Sequence, residues 1–365
     1  MPPLTTLPRA ALALAMLIST ACAGTLVPAP GGNTTAAMQR RFADNAVALT
    51  ARARIALPHR GSAARAWMAR NATQIKRLLY VSSFGDGTVD VYDYDSGAMV
   101  GTLSGFVEPS GQCVDRNGDV FIADFGGDQI SEYAHGASSP SATFADPDAL
   151  PIGCSVDDTT GALAVANFMT SKCPTCGGPG NLVIFTIASK PPTHYRSRFY
   201  YLWPPAYDDH GNLFIEGRVV KTFDNGVDEL PRGGSRLRTV AFTQKIWLPG
   251  GAQWDGAHVL ITDQDYNESN TTGVYQTTVH DFRASVAGST QLDDFGGSEC
   301  FGSGSDVVSP FVVIGNAGAS RIIGGNIACE HVFDYWRYPE GGDPIVKLQA
   351  APLAPYGQSV SVAPK

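Results

Sequence analysis

Pro109-Ser-Gly111-Gln-Cys-Val114-Asp115-Arg-Asn-Gly118-Asp-Val-Phe121-Ile-Ala123-Asp124-Phe-Gly-Gly-Asp-Gln-Ile130-Ser-Glu-Tyr133 holds the plan of the whole molecule. A proline and a glycine open a short strand. Asn117-Gly118 turns the chain, and glycine supplies the positive φ that a tight hairpin needs. Phe121-Ile-Ala-Asp124 then alternates, giving one face to each side of a sheet. Ile130–Tyr133 reads as a third strand and Ala142-Thr-Phe144 as a fourth, outer one. One unit later, Pro151-Ile-Gly153-Cys-Ser-Val156-Asp157-Asp-Thr-Thr-Gly161-Ala-Leu163-Ala-Val165-Ala-Asn167-Phe168 repeats the order. A four-stranded sheet with two apolar faces cannot stand alone, whereas radial stacking of such sheets buries both faces.

Weaker copies follow at Tyr207–Ile215 and Gln253–Ile261, and a diverged one at Glu299–Gly304 followed by Phe311–Ile314. The second strands begin near Leu79, Phe121, Leu163, Leu213, Val259 and Phe311, at spacings of 42, 42, 50, 46 and 52 residues. Repeats of roughly 40–50 residues are those of a propeller blade. Pro355-Tyr-Gly357-Gln358-Ser-Val360-Ser copies Pro109–Asp115, so the chain end is expected to supply the inner strand of the blade beginning at Leu79. Such closure leaves no open edge between the chain ends. The expected fold is all-β, a six-bladed β-propeller over residues 78–365. A seventh blade would need a unit hidden in the long fifth or sixth repeat.

The pattern resembles the NHL-repeat propellers. Pro109, Gly111, Val114, Asp115, Gly118, Phe121, Ala123, Asp124, Ile130 and Tyr133 match that repeat position by position. Leu79-Tyr-Val-Ser-Ser-Phe-Gly-Asp-Gly87 also resembles the start of a group of uncharacterised bacterial surface lipoproteins. The resemblance implies a fold and an address. Propellers of this kind include protein-binding, RNA-binding and enzymatic members, so it does not fix an activity.

The first residues read as an address too. Arg9 precedes the apolar run Ala10–Ile18, which is too short to span a bilayer and fits a secretory signal peptide over residues 1–23. Ser19-Thr-Ala-Cys22 resembles a lipoprotein box, with Cys22 as the lipidated residue, although Ser19 departs from the preferred leucine. Ala21-Cys22-Ala23 equally fits ordinary cleavage and secretion. Residues 24–77 read as a tether, with a short helix suggested by Met38, Phe42, Ala46 and Leu49. Between Ala36 and Arg77 nine Lys/Arg stand against Asp44 alone, whereas from Leu78 onward 16 stand against 33 Asp/Glu. A body of that sign excludes nucleic acid as a natural partner. The basic arm is either a solvated linker or a contact for anionic lipid or cell-wall phosphate.

Six further cysteines, Cys113, Cys154, Cys173, Cys176, Cys300 and Cys329, form an even set, which in an exported chain favours disulfides. The expected pairs are Cys113–Cys154, Cys173–Cys176 and Cys300–Cys329. Cys173-Pro-Thr-Cys176 admits redox or metal readings as well, but no second C-x-x-C or nearby histidine completes a zinc site.

Chemistry-bearing motifs are scarce. No G-x-S-x-G elbow or H-E-x-x-H pair occurs, and the histidines are scattered. Asp124, Asp128, Asp157 and Asp208 lie at strand ends and turns, where aspartate usually bonds its own backbone. Inner strands converge on a channel mouth, and there the repeat offers Gln112, Ser155, Gln253, Glu299 and Gln358. Propeller lactonases of similar fold hold a divalent cation on the axis. Here Glu299 is the one acid placed to hold a metal, and the remaining amides suit a polar ligand, channel water or a structural ring. Three insertions, Met169–Gly180, Lys190–Trp203 and Thr262–Gly273, interrupt the spacing. The second carries Tyr195, Arg196, Arg198, Tyr200, Tyr201 and Trp203, types enriched at binding hot spots. A fourth strand packing those aromatics on the next blade is the competing reading.

The sequence therefore predicts a monomeric, exported, lipid-anchored or secreted propeller of the bacterial cell envelope. It would bind a protein, glycan or small polar ligand without catalysis, touch membrane by lipid anchor only, and need no cofactor. The alternative is a metal-dependent, lactonase-like hydrolase built on a divalent cation at Glu299.

Overall fold

The computed structural model describes residues 65–170, 178–186, 190–219, 222, 224–266, 271–293, 307–313, 320–326, 332–349 and 355–364. The described chain is all-β apart from one short 3-10 turn, Ala72–Gln74. Consecutive strands pair antiparallel in the order the repeat predicts. In the second sheet Pro109–Val114 pairs with Val120–Asp124, then Gln129–Tyr133, then Ala142–Ala145. The third sheet runs Ala149–Val156, Leu163–Thr170, Gly178–Phe185, Thr193–Arg196. In the fourth, Tyr201–Leu202 and Ala206–Tyr207 both pair with Leu213–Arg218, followed by Asn225–Leu230 and Arg238–Val240.

The fifth unit runs Pro249–Trp254, Val259–Tyr266, Thr271–His280, Arg283–Leu292, and the sixth Val307–Val313, Arg321–Asn326, Val332–Arg337, Gly341–Gln349. A single parallel pair, Leu292↔Gly342, links these two. In the first sheet Arg77–Ser83 lies between Thr88–Asp93 and the late strand Pro355–Val362, with Leu79 opposite Val360. Trp67–Met68, upstream of residue 78, adds an outer strand to this sheet.

Alternation divides each second strand between two neighbours. Val120 and Ile122 pack with Leu78, Tyr80 and Val91 of the first sheet, whereas Phe121 and Ala123 pack with Leu163, Val165 and Phe185 of the third. Leu79 and Val81 turn the other way, against Ile323 and Tyr335 of the sixth unit. The period-two side-chain pattern thus builds one apolar layer per interface.

The sixth unit departs from its sequence reading. Phe311–Ile314 was expected as a second strand behind a first strand at Glu299–Gly304. Instead Val307–Val313 takes the first position, against Pro249–Trp254 and Pro355–Val362, and Arg321–Asn326 the second. First and second strands both carry apolar runs there, so periodicity alone does not tell one from the other.

Antiparallel alternation gives every unit two ends. At the turn end of the second to fifth units the first strand hairpins into the second. At the proline end each inner strand starts, and the second strand finishes beside that start.

Candidate functional site

In the second to fifth units the turn end is uniform. Asp115 accepts N–H bonds from Asn117 and Asp119 at 2.9 Å each, and Gly118 takes φ +85. Asp157 accepts from Thr159, Asp208 from His210 and Asn212, and Asp255 from Ala257 and His258. These are the self-bonded turn aspartates the sequence predicts at 157 and 208. Asp208, Asp209 and His210 bring ligand atoms close enough to share an ion, but they sit on this solvent-facing turn and Asp208 already serves its backbone.

The proline end differs. Asp124 is fully buried and does more than cap its own turn, for it also accepts the N–H of Val107 at 3.0 Å and of Glu108 at 2.8 Å, the two residues before Pro109. Asp263 does the same for Trp247 (3.1 Å) and Leu248 (2.9 Å), the two residues before Pro249. The aspartate late in the second strand is therefore a clamp on the lead-in to its own unit's inner strand, a long-range role that a turn reading misses. Glu216, also fully buried, accepts from Gly250, Gly251 and Thr262 and ties the fourth unit to the fifth. Burial pushes its carboxyl well above the usual range, against three N–H donors that favour the charged form. Burial likewise raises Asp263 to about 6 and Glu108 to about 7, the latter helped by neighbouring Asp124.

In the third unit Asn167 stands where the clamp aspartate would be. Its Nδ2 donates to Asp146 and to Asn181, both at 2.7 Å, while its buried Oδ1 has no hydrogen-bond partner among the described residues. Glu108 Oε2 is likewise buried without one. Neither residue was singled out as a site from the sequence. The signal that finds Glu108 is internal to the repeat, since the residue before the proline is Leu150 and Leu248 in the third and fifth units.

The predicted channel-mouth residues are scattered through the inter-unit bonding. Gln112 donates to Ser82 Oγ at 2.7 Å and accepts from Ser359 Oγ at 2.7 Å, stitching the second unit to the first. Gln253 pairs its amide with the backbone of Val312, accepting from its N–H at 2.7 Å. Ser155 accepts from the N–H of Tyr207, and Gln358 is buried. Glu299 lies outside the described residues. Gly111 explains why these inner strands can bond so closely. Its φ is ordinary, but a Cβ there would run into the carbonyl of Ile152 on the next inner strand.

The aromatic insertion splits into two structural roles. Thr193–Arg196 is the outer strand of the third sheet, carrying half-buried Tyr195 and exposed Arg196. The chain then crosses to the fourth sheet, where Trp203 is buried and Tyr201 stacks on Phe168 at 4.9 Å. Arg198 donates to buried Asp228 at 2.8 Å, and Tyr200 meets Tyr201 edge-on at 5.0 Å. Phe84 and Phe125, each just after a second strand, and Phe168, within one, extend this ring contact across three sheets at centroid spacings of 5.7 and 6.3 Å.

Cys113 and Cys154 form a disulfide between neighbouring inner strands, with Cα atoms 5.5 Å apart. Cys22, Cys173, Cys176, Cys300 and Cys329 lie outside the described residues.

No protein-family model matches the chain, and no curated protein matches it. Solved structures do. A chain of the nidogen/laminin complex aligns with TM-score 0.57 and 11% identity over 79% of this chain and 100% of its own length. A protein of unknown function from Bacteroides caccae gives 0.53 and 12% over 78% and 99%. A chain of Kuenenia stuttgartiensis hydrazine synthase gives 0.50 and 14% over 74% and 75%. The neighbours are β-propeller proteins, and at these identities the likeness establishes the fold alone.

Proposed function

We propose that this chain is a six-bladed propeller, closed by its C-terminal strand, that works outside the cytoplasm as a binding scaffold and meets its partner at the proline end. The carrying observation is the contrast between the ends. Four turns at one end repeat the same aspartate bonded within its own turn, whereas the other end differs from unit to unit and holds two buried oxygens, on Glu108 and Asn167, without hydrogen-bond partners among the described residues. A repeat diverges where selection acts on something other than folding. The pairing of Leu79 with Val360 and the shared layer of Val81 with Tyr335 support closure. The Cys113–Cys154 disulfide supports an oxidising compartment, in keeping with the signal-like residues 1–23 and a lipidated or cleaved Cys22.

The partner class is a protein, glycan or small polar ligand. Nidogen, whose structure is of a complex with laminin, shows a relative in fold engaged with a partner, and carries no more than that to this chain. Photo-crosslinkers at Val107 and at Asn117 test the reading in intact cells. Adducts from Val107 and none from Asn117 are expected; the reverse pattern would overturn it.

A further inference from the structure

We infer that Glu108 is the binding carboxylate of a site for an alkylammonium group, formed between Val107, Glu108 and the Gly126 backbone at the proline end. The inference deepens the proline-end reading and rests on it.

Three observations converge on this residue. The first is its place in the repeat. Leu150 and Leu248 hold the equivalent position in the third and fifth units and pack against the core there. An acid at an apolar repeat position is costly to bury and gains nothing for the fold unless paired. The second is that Glu108 is 8% exposed and its Oε2 has no hydrogen-bond partner among the described residues. The charge that faces it is another carboxylate, Asp124. The third is its cover. Gly126 is exposed, and a Cβ on it would come within 2.9 Å of Glu108 Oε2 and 2.8 Å of Val107 Cγ1. An acidic oxygen and an aliphatic methyl thus lie side by side beneath a backbone without a side chain. Val107 itself is 40% exposed.

The free oxygen count selects the ligand. Calcium takes six to eight oxygens and magnesium a near-octahedral set. Both Asp124 oxygens already accept backbone N–H bonds, Oδ1 from Val107 and Glu108 and Oδ2 from Val107. The two oxygens of the single remaining carboxylate are too few for such a shell, but they suffice for an N–H donor of a primary ammonium, and the Val107 methyl suits the alkyl stem. A lysine side chain, a polyamine and an amino sugar share that ammonium chemistry.

Nα-acetyl-lysine methylamide, spermidine and glucosamine are titrated separately into the full chain, with the Val107, Glu108 and Gly126 amide resonances followed by NMR. The lysine analogue is expected to shift all three, with Glu108→Leu weakening it at least tenfold. Glucosamine or spermidine shifting them instead, with the same loss in Glu108→Leu, would support the site and reassign its source. No shift with any probe, or equal shifts in Glu108→Leu, would overturn the inference. Thermal melting of the same variant is the second readout. Leu at this position is expected to melt higher than the native chain, and a lower melting point would make Glu108 a structural residue and sink the proposal. Failure of the NMR test while Val107 crosslinks form in the native chain would retire only this site, and absence of those crosslinks from the native chain would retire the proline-end reading as well.

Discussion

The two ends of this molecule are built from one repeat, but their aspartates do opposite jobs. At the turn end Asp115, Asp157, Asp208 and Asp255 accept N–H bonds from residues two to four positions on, within their own turns. At the proline end Asp124 and Asp263 reach back 15 to 17 residues to backbone that would otherwise be buried without acceptors. A local bond in water is replaceable by water, and a buried one is not. The same residue type therefore carries very different energetic weight at the two ends.

Substitutions can break that contrast. Glu216→Ala and Asp124→Ala strand buried N–H donors, and each is expected to cost about 3–5 kcal/mol in denaturant unfolding. Equal losses from Asp115→Ala would abolish the distinction between the ends. Replacing both Cys113 and Cys154 by Ser removes the one covalent tie between inner strands seen among the described residues, and about 2–4 kcal/mol should go with it. Gly111→Ala forces the second and third inner strands apart, with an expected loss of about 1–3 kcal/mol. An unchanged melting point would mean that the inner strands do not approach as closely as drawn.

Acidity gives a subtler probe. Glu108 titrates near 7 when folded and near 4.5 when unfolded. The folded chain holds that proton longer, so its contribution is complete below about pH 4.5 and fades as pH rises through about 7. Glu108→Gln should flatten this part of a stability–pH curve, and an unchanged slope would assign it to another group, such as Asp263. The smallest effect belongs to the turn end, where Asp115→Ala removes its bonds to Asn117 and Asp119 and is expected to cost about 1 kcal/mol, since water can replace them.

Much of the fold was legible because it depends on local periodicity. Phe121 and Ile122 face different neighbours simply because strands alternate, and Gly118 turns because its φ is positive. The sixth unit was misframed for the same reason. Periodicity says that a segment is a strand but not which strand, and hydrogen-bond partners decided that Val307–Val313 comes first. The candidate site was legible only in part. Gln112 and Gln253 were correctly placed on inner strands, but which groups they bond was invisible, since Ser359 and Val312 are distant in sequence.

By itself the sequence determined the all-β repeat, the alternation of hydrophobic faces and the turn aspartates, while the Cys113–Cys154 pair, one of fifteen ways to join six cysteines into three pairs, was selected by the approach of two inner strands. The repeat, the alternation and the turn aspartates follow from spacing along one chain. Only the tertiary structure decided that Asp124 and Asp263 are clamps, that Trp203 and Tyr201 pack inward, and that Glu108 is buried with an oxygen unpaired. Those properties arise between segments distant in the chain, and what a polar group does there depends on which donors the neighbouring backbone brings within reach.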